Sequence, residues 1–226
     1  MPINIAVLIS GSGSNLQSII DRIEQGVLDA RVTLVLSNKP GAYGLERAAK
    51  HGLQTKVIQH AAFGSREIFD RAVVGEIRDS GADAVVLAGF MRILTPFFIN
   101  SFPGRVLNIH PAVLPAFPGV EGQQQAAEYG VKVSGCTVHF VDEKMDHGPI
   151  IIQAVVPGFS DDDAKSLGSR ILALEHRIFP QAIQWLAKDR LSVSGRKVTI
   201  ADAPEPILVG TGRQSALISP GLEAGF

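Results

Sequence analysis

Five short apolar runs recur in the first 110 residues, and every gap between them reads as a helix. The first run, 4–10 (NIAVLIS), is bounded by glycines, as in a strand buried on both faces. Leu16, Ile19, Ile20 and Ile23 then fall at i, i+3, i+4 and i+7, the stripe of an amphipathic helix. Residues 31–37 form the next strand, and 44–52 a short helix closed by Gly52. Residues 55–59 are a third strand. The helix over 65–81 has Ser65 as N-cap, with Ile68, Ala72 and Ile77 expected on its buried side. Residues 83–89 are a fourth strand. Thr95 caps a short helix with Pro96 at its first position, and 105–110 is the fifth strand. Such alternation with short loops predicts the α/β class: a mostly parallel twisted sheet flanked by helices.

The pattern then changes. Residues 135–141 and 149–156, joined by a short turn, predict an antiparallel strand pair in the C-terminal half. A long helical stretch follows, with acids at its start and Pro180 expected to kink or divide it. Residues 191–200 read as a hairpin around Ser194-Gly195. The expected organisation is one domain over 1–200, with a phosphate-binding half (1–100) and a catalytic half (101–200). Residues 201–226 read as an extended or frayed tail.

Composition narrows the partners. The net charge is -1, so electrostatics make no case for nucleic acid or anionic lipid. No stretch is long and apolar enough to span a bilayer, and the N-terminus reads as a first strand, not a signal peptide. One cysteine, Cys136, allows no internal disulfide, and a cytoplasmic home is expected.

In open α/β sheets, ligands bind at the carboxyl ends of the strands. Gly11–Asn15 lies there, where glycines admit a ligand to the backbone and a helix N-terminus offers free N–H groups. A dinucleotide loop would need a third glycine where Leu16 stands, and an ATP loop a Gly-Lys-Ser/Thr; both are missing. A monophosphate is therefore favoured over NAD or ATP. The alternative is a tight turn capped by Ser14 or Asn15, and the loop alone leaves the two open.

Asn108 and His110 are two residues apart and share one face of their strand, which Pro111 ends. Asn offers a neutral donor and His a proton donor or acceptor, a set suited to acyl transfer, where charge develops on a carbonyl oxygen. Asp146, in a turn, is the carboxylate expected to complete it. No Gly-x-Ser-x-Gly elbow appears and Cys136 lies within a strand, so the nucleophile is expected from the substrate. His139, His147 and His176 have no metal-ligand spacing and read as ordinary histidines; no metal is expected.

These residues carry a resemblance. VLISGSGSNLQSII, SNKPGAYGLERA, VVLAGFMRILTPFF, GRVLNIHPAVLPAFPG, GCTVHFVDEKMDHGPIIIQ and LEHRIFPQAI, in that order, resemble the phosphoribosylglycinamide formyltransferases over roughly residues 3–195. The resemblance implies a Rossmann-like sheet and transfer of a formyl group from 10-formyltetrahydrofolate to the amine of glycinamide ribonucleotide, without a metal. It assigns catalysis to Asn108, His110 and Asp146. Substrate binding falls to Ser12, Gly13, Ser14, Asn15, Pro111 and Glu175, the last on the ribose. The folate falls to Met91, Arg92, Ile93 and Leu94, with Arg66 for its glutamate tail and Val141 and Asp142 walling the pterin. Without the resemblance, Met91 and Ile93 would read as core, Arg92 as a solvated loop arginine and Glu175 as solvent-facing. The sequence departs from the family at Glu121 and Gln123, where histidine-bearing text is usual.

The partners so implied are two small molecules acting on a monomer or homodimer. The related formyltetrahydrofolate hydrolases usually carry an extra N-terminal domain, for which a chain opening at strand one leaves no room. The related methionyl-tRNA formyltransferases have a C-terminal barrel and a basic surface. A non-catalytic nucleotide-binding module is the reading from another class; it predicts phosphate-ligand binding insensitive to Asp146.

Overall fold

The protein is described over residues 1–226 by a computed structural model, in which the chain forms two compact units. The first comprises Met1–Asn108 and Phe140–Glu143. Its elements are β1 (Ile3–Ile9), α1 (Ser14–Glu24), β2 (Ala30–Ser37), α2 (Tyr43–Lys50), β3 (Thr55–Val57), α3 (Arg66–Asp79), β4 (Ala84–Leu87) and α4 (Pro96–Ser101), followed by the start of β5 (Val106–His110). The strands lie in the order β5-β4-β1-β2-β3, every pair parallel. Both faces of β1 are dry. Ala6 and Leu8 join a core with Phe69, Val73 and Ile77 of α3 and Phe98 of α4, while Ile5, Val7 and Ile9 are also fully buried. Each such aliphatic side chain contributes about 1.5–3 kcal/mol on leaving water.

Ser65 caps α3 by accepting from the Ile68 amide, and Thr95 caps α4 by accepting from Phe98, with Pro96 at the first turn. The buried face of α3 differs from expectation. Ile68 is 55% exposed and Ala72 only half-buried; Phe69, Asp70, Val73, Val74 and Ile77 turn inward. The larger Phe69–Val73–Ile77 stripe, at i, i+4 and i+8, wins the core, and only Ile77 belongs to both readings. Buried Asp70 accepts from both the amide and hydroxyl of Thr95, at 2.7 Å each.

The second unit comprises Ile109–His139 and Lys144–Phe226. It contains the end of β5, then α5 (Gly122–Tyr129), β6 (Val133–Phe140), β7 (Ile150–Pro157), α6 (Ala164–Ala187), β8 (Leu191–Ser194), β9 (Lys197–Ile200), β10 (Ile207–Val209) and β11 (Ala216–Ser219). β6 and β7 pair antiparallel, as do β8 and β9. Helix α6 begins in a capping box between Asp163 and Ser166. It runs through Pro180 as one helix, so the proline does not divide it; Pro180 is buried among Ile178, Phe179, Ala182 and Ile183. Burial of that apolar turn offsets the lost backbone bond. The guanidinium of Arg170 pairs with Asp162 and holds its carboxyl well below the usual carboxylate range.

The tail is not frayed. β10 pairs antiparallel with β11, and β11 with β7. Glu223 accepts from the Trp185 indole at 2.8 Å and from Arg190 at 2.7 Å, and its amide donates to Gln181 at 2.6 Å. Helix α5 was not anticipated either. Its segment lacks an apolar stripe, and only Gly122 and Ala126 are buried in it.

Candidate active site

Strand β5 ends in Asn108, Ile109 and His110, and Pro111 follows. Alternation places the Asn108 and His110 side chains on one face. His110 is buried, and both ring nitrogens face oxygen. Nε2 stands 2.8 Å from the Phe117 carbonyl, which only accepts, so Nε2 carries a proton. Nδ1 faces Asp146 Oδ2 at 3.4 Å. The same oxygen accepts from the Gly119 amide at 2.6 Å, and the other lies 3.8 Å from Nε2 of buried His139.

Two residues beside this imidazole have left-handed backbone. Phe117 and Asp146, which supply its two oxygen neighbours, both have φ of +50°. Asp tolerates the left-handed region; Phe rarely enters it. The segment 111–117 that leads to Phe117 is tied down by buried Thr137, which donates to the Ala112 carbonyl at 2.7 Å and accepts from the Leu114 amide at 3.1 Å. Gln153 adds a bond to the Leu114 carbonyl at 3.0 Å. Gly122 follows Glu121 at the start of α5 and packs against the same loop: a β-carbon there would lie 3.4 Å from the carbonyls of both Phe117 and Pro111.

The glycine loop in the first unit is shaped by close backbone approach. Gly13 has φ of +69°, and a β-carbon on it would stand 2.5 Å from the Cα of Gly44. Gly13 is also the N-cap of α1 and supplies no side chain. Ser14 and Asn15 are the first helical residues, so neither caps the helix as the tight-turn alternative required. Arg47 of α2 adds a cation at this loop, donating to the Ser12 carbonyl at 2.9 Å and lying 5.0 Å from the Tyr43 ring centre. An N-terminus without a side-chain cap, with a guanidinium beside it, suits an anion.

Residues 91–94 are not core packing as a group. Met91 is 60% and Ile93 54% exposed, whereas Leu94 is buried in the core. Arg92 is half-buried with its guanidinium 5.9 Å from the Phe69 ring, so it is not simply solvated. Two exposed apolar side chains flanking an arginine form a surface able to contact an apolar ligand. Val141 packs on the same core and its amide donates to the Val106 carbonyl; Asp142 is half-buried. Arg66, first residue of α3, is exposed.

Glu175 is buried on α6 rather than facing solvent. Burial, and then the Glu175 charge, push the Cys136 thiol well above its ordinary value, which disqualifies it as a nucleophile. His139 reads from the sequence as an ordinary histidine, no different from His147 or His176, yet it is buried beside Asp146. No group of three or more His, Cys, Asp or Glu could hold a metal ion.

Comparison with known proteins adds the family. The chain matches the formyl transferase family over residues 3–183. It is 47% identical over 190 residues to the phosphoribosylglycinamide formyltransferase of Escherichia coli K12, covering 84% of this chain and 90% of that one. It is 45% identical over 183 residues to the trifunctional purine biosynthetic protein adenosine-3 of Homo sapiens, covering 81% of this chain but 18% of that protein. Among solved structures, the glycinamide ribonucleotide transformylase 1 of Symbiobacterium toebii superposes with a TM-score of 0.87 at 51% identity, covering 89% of this chain and 95% of that one.

Proposed function

We infer the function of this chain from its family: it belongs to the formyl transferases. It is an enzyme that transfers the formyl group of 10-formyltetrahydrofolate to the amine of glycinamide ribonucleotide, in purine biosynthesis. The observation that carries this reading is the 47% identity, over nine-tenths of its length, to a relative of that name.

The residue roles are proposals. The α1 N-terminus at residues 12–15 binds the nucleotide's phosphate, and Glu175 its ribose. Residues 91–94, Val141 and Asp142 hold the folate, and Arg66 its glutamate tail. The neutral amine forms a bond to the formyl carbon, and the bond from that carbon to the folate nitrogen breaks. Asn108 and protonated His110 take the charge that develops on the formyl oxygen. For that, the Nε2 proton of His110 must exchange the Phe117 carbonyl for the substrate oxygen. Asp146 stabilises the imidazolium through Nδ1 and helps pass a proton from the amine to the departing folate nitrogen. What supports these roles is the His110–Asp146 approach and the N-terminus of α1 that no side chain caps. Holding both substrates in register supplies much of the acceleration.

The roles need no metal, and the proposed setting is a cytoplasmic monomer or homodimer; no helix is long and apolar enough to cross a membrane. Calorimetric titration tests the phosphate assignment. Glycinamide ribonucleotide should bind at least about a hundredfold more tightly than the nucleoside lacking its phosphate, the scale of two or more charge-assisted hydrogen bonds. Equal affinities would contradict the assignment.

A further inference from the structure

A hydrogen-bonded chain in the first unit runs from outside the assigned residues to the 91–94 loop. Ser10 directly follows β1, before the glycine loop, and is buried. Its hydroxyl oxygen accepts from the Met91 amide at 2.8 Å. Its single proton goes to Asn38 Oδ1 at 2.6 Å. That fixes the amide of Asn38, which is 2% exposed, so that Nδ2 faces Nδ1 of His60 at 3.2 Å. An amide nitrogen only donates, so His60 Nδ1 accepts and its proton lies on Nε2. Every group has one role, and the bonds point one way: Met91 to Ser10 to Asn38 to His60. Aligned bonds of this kind polarise one another.

His60 reaches the same loop by a second route. Its ring meets Phe69 edge-on at 6.3 Å, and the Arg92 guanidinium lies 5.9 Å from the centre of the same Phe69 ring. The strand end does not need this chain to hold it, because the Ser10 amide already donates to the Gly89 carbonyl at 3.0 Å. The hydroxyl's bonds are additional, and what they fix is the Met91 amide, at the start of the loop that carries the exposed apolar side chains Met91 and Ile93. The far end of that loop is fixed separately, by Asp70 on Thr95.

We propose that His60 and Asn38 are positioning residues for the folate, setting the 91–94 backbone through Ser10. The proposal rests on the reading of 91–94 as folate-binding. Steady-state kinetics of the full-length enzyme, varying each substrate in turn, test it. His60→Leu should raise the KM for formyl folate about three- to tenfold, the factor of one lost hydrogen bond. The KM for the nucleotide and kcat should stay within about twofold. His60→Asn, whose amide oxygen stands near the position of Nδ1, should return the folate KM to within about twofold of wild type. Ser10→Ala should repeat the effect of His60→Leu and serves if that variant folds poorly. An unchanged folate KM in His60→Leu, an equal rise in both KM values, or no rescue by Asn would overturn the proposal alone. A folded wild type that transfers no formyl group would overturn the functional reading and this proposal with it.

Discussion

His110 illustrates what one residue requires of its surroundings. A backbone carbonyl fixes the proton on Nε2, and a carboxylate faces Nδ1. Asn108 is proposed to add a neutral donor. Removing an oxyanion donor typically lowers turnover by about 10²–10³, and Asn108→Ala should lose that much kcat while keeping its melting temperature. Wild-type turnover in the folded variant would sink the assigned role. Asn108 and His110 were legible because strand alternation and a terminating proline put them on one face. His139 and Glu175 were not. A histidine inside an apolar strand and a glutamate on a helix look the same whether they face water or a buried partner, and only the packing of β6 and α6 decides.

Elements show where local chemistry decides and where packing overrides it. Caps were readable: Ser65 and Thr95 each bond the amide three residues on, as their position demands. The buried face of α3 was misjudged by one position, because Phe69 offers more area than Ile68 and periodicity alone does not weigh size. Helix α5 has almost no apolar stripe to read, and α6 carries Pro180 within it because its surroundings are buried. The glycine loop is the element where a small change should tell most. Gly13→Ala would force a β-carbon to 2.5 Å from the Gly44 backbone at a φ of +69°. Such strain costs about 1–3 kcal/mol. The variant should melt lower than wild type and raise the KM for the nucleotide at least about tenfold, with the folate KM little changed. Equal KM values for the nucleotide would remove the phosphate role from this loop.

At the scale of the whole molecule, the parallel strands were legible because β1, β2, β4 and β5 each carry an apolar run and a helix separates each parallel strand from the next. The tail was not. β10 and β11 have three and four residues, too few for a period; β11 exists through pairing with β7, far away in sequence, and β10 through pairing with β11. Family membership speaks to the reaction, whereas phosphate, acyl chemistry and a missing nucleophile were all that the residues themselves could state; nothing in their spacing names a folate. The most direct test is an absorbance assay of folate release from a formylated folate analogue, with and without glycinamide ribonucleotide. The account predicts release only when the nucleotide is present, with one formyl group appearing on its amine for each folate freed. Release without the nucleotide, or none in either case from folded protein, would contradict it.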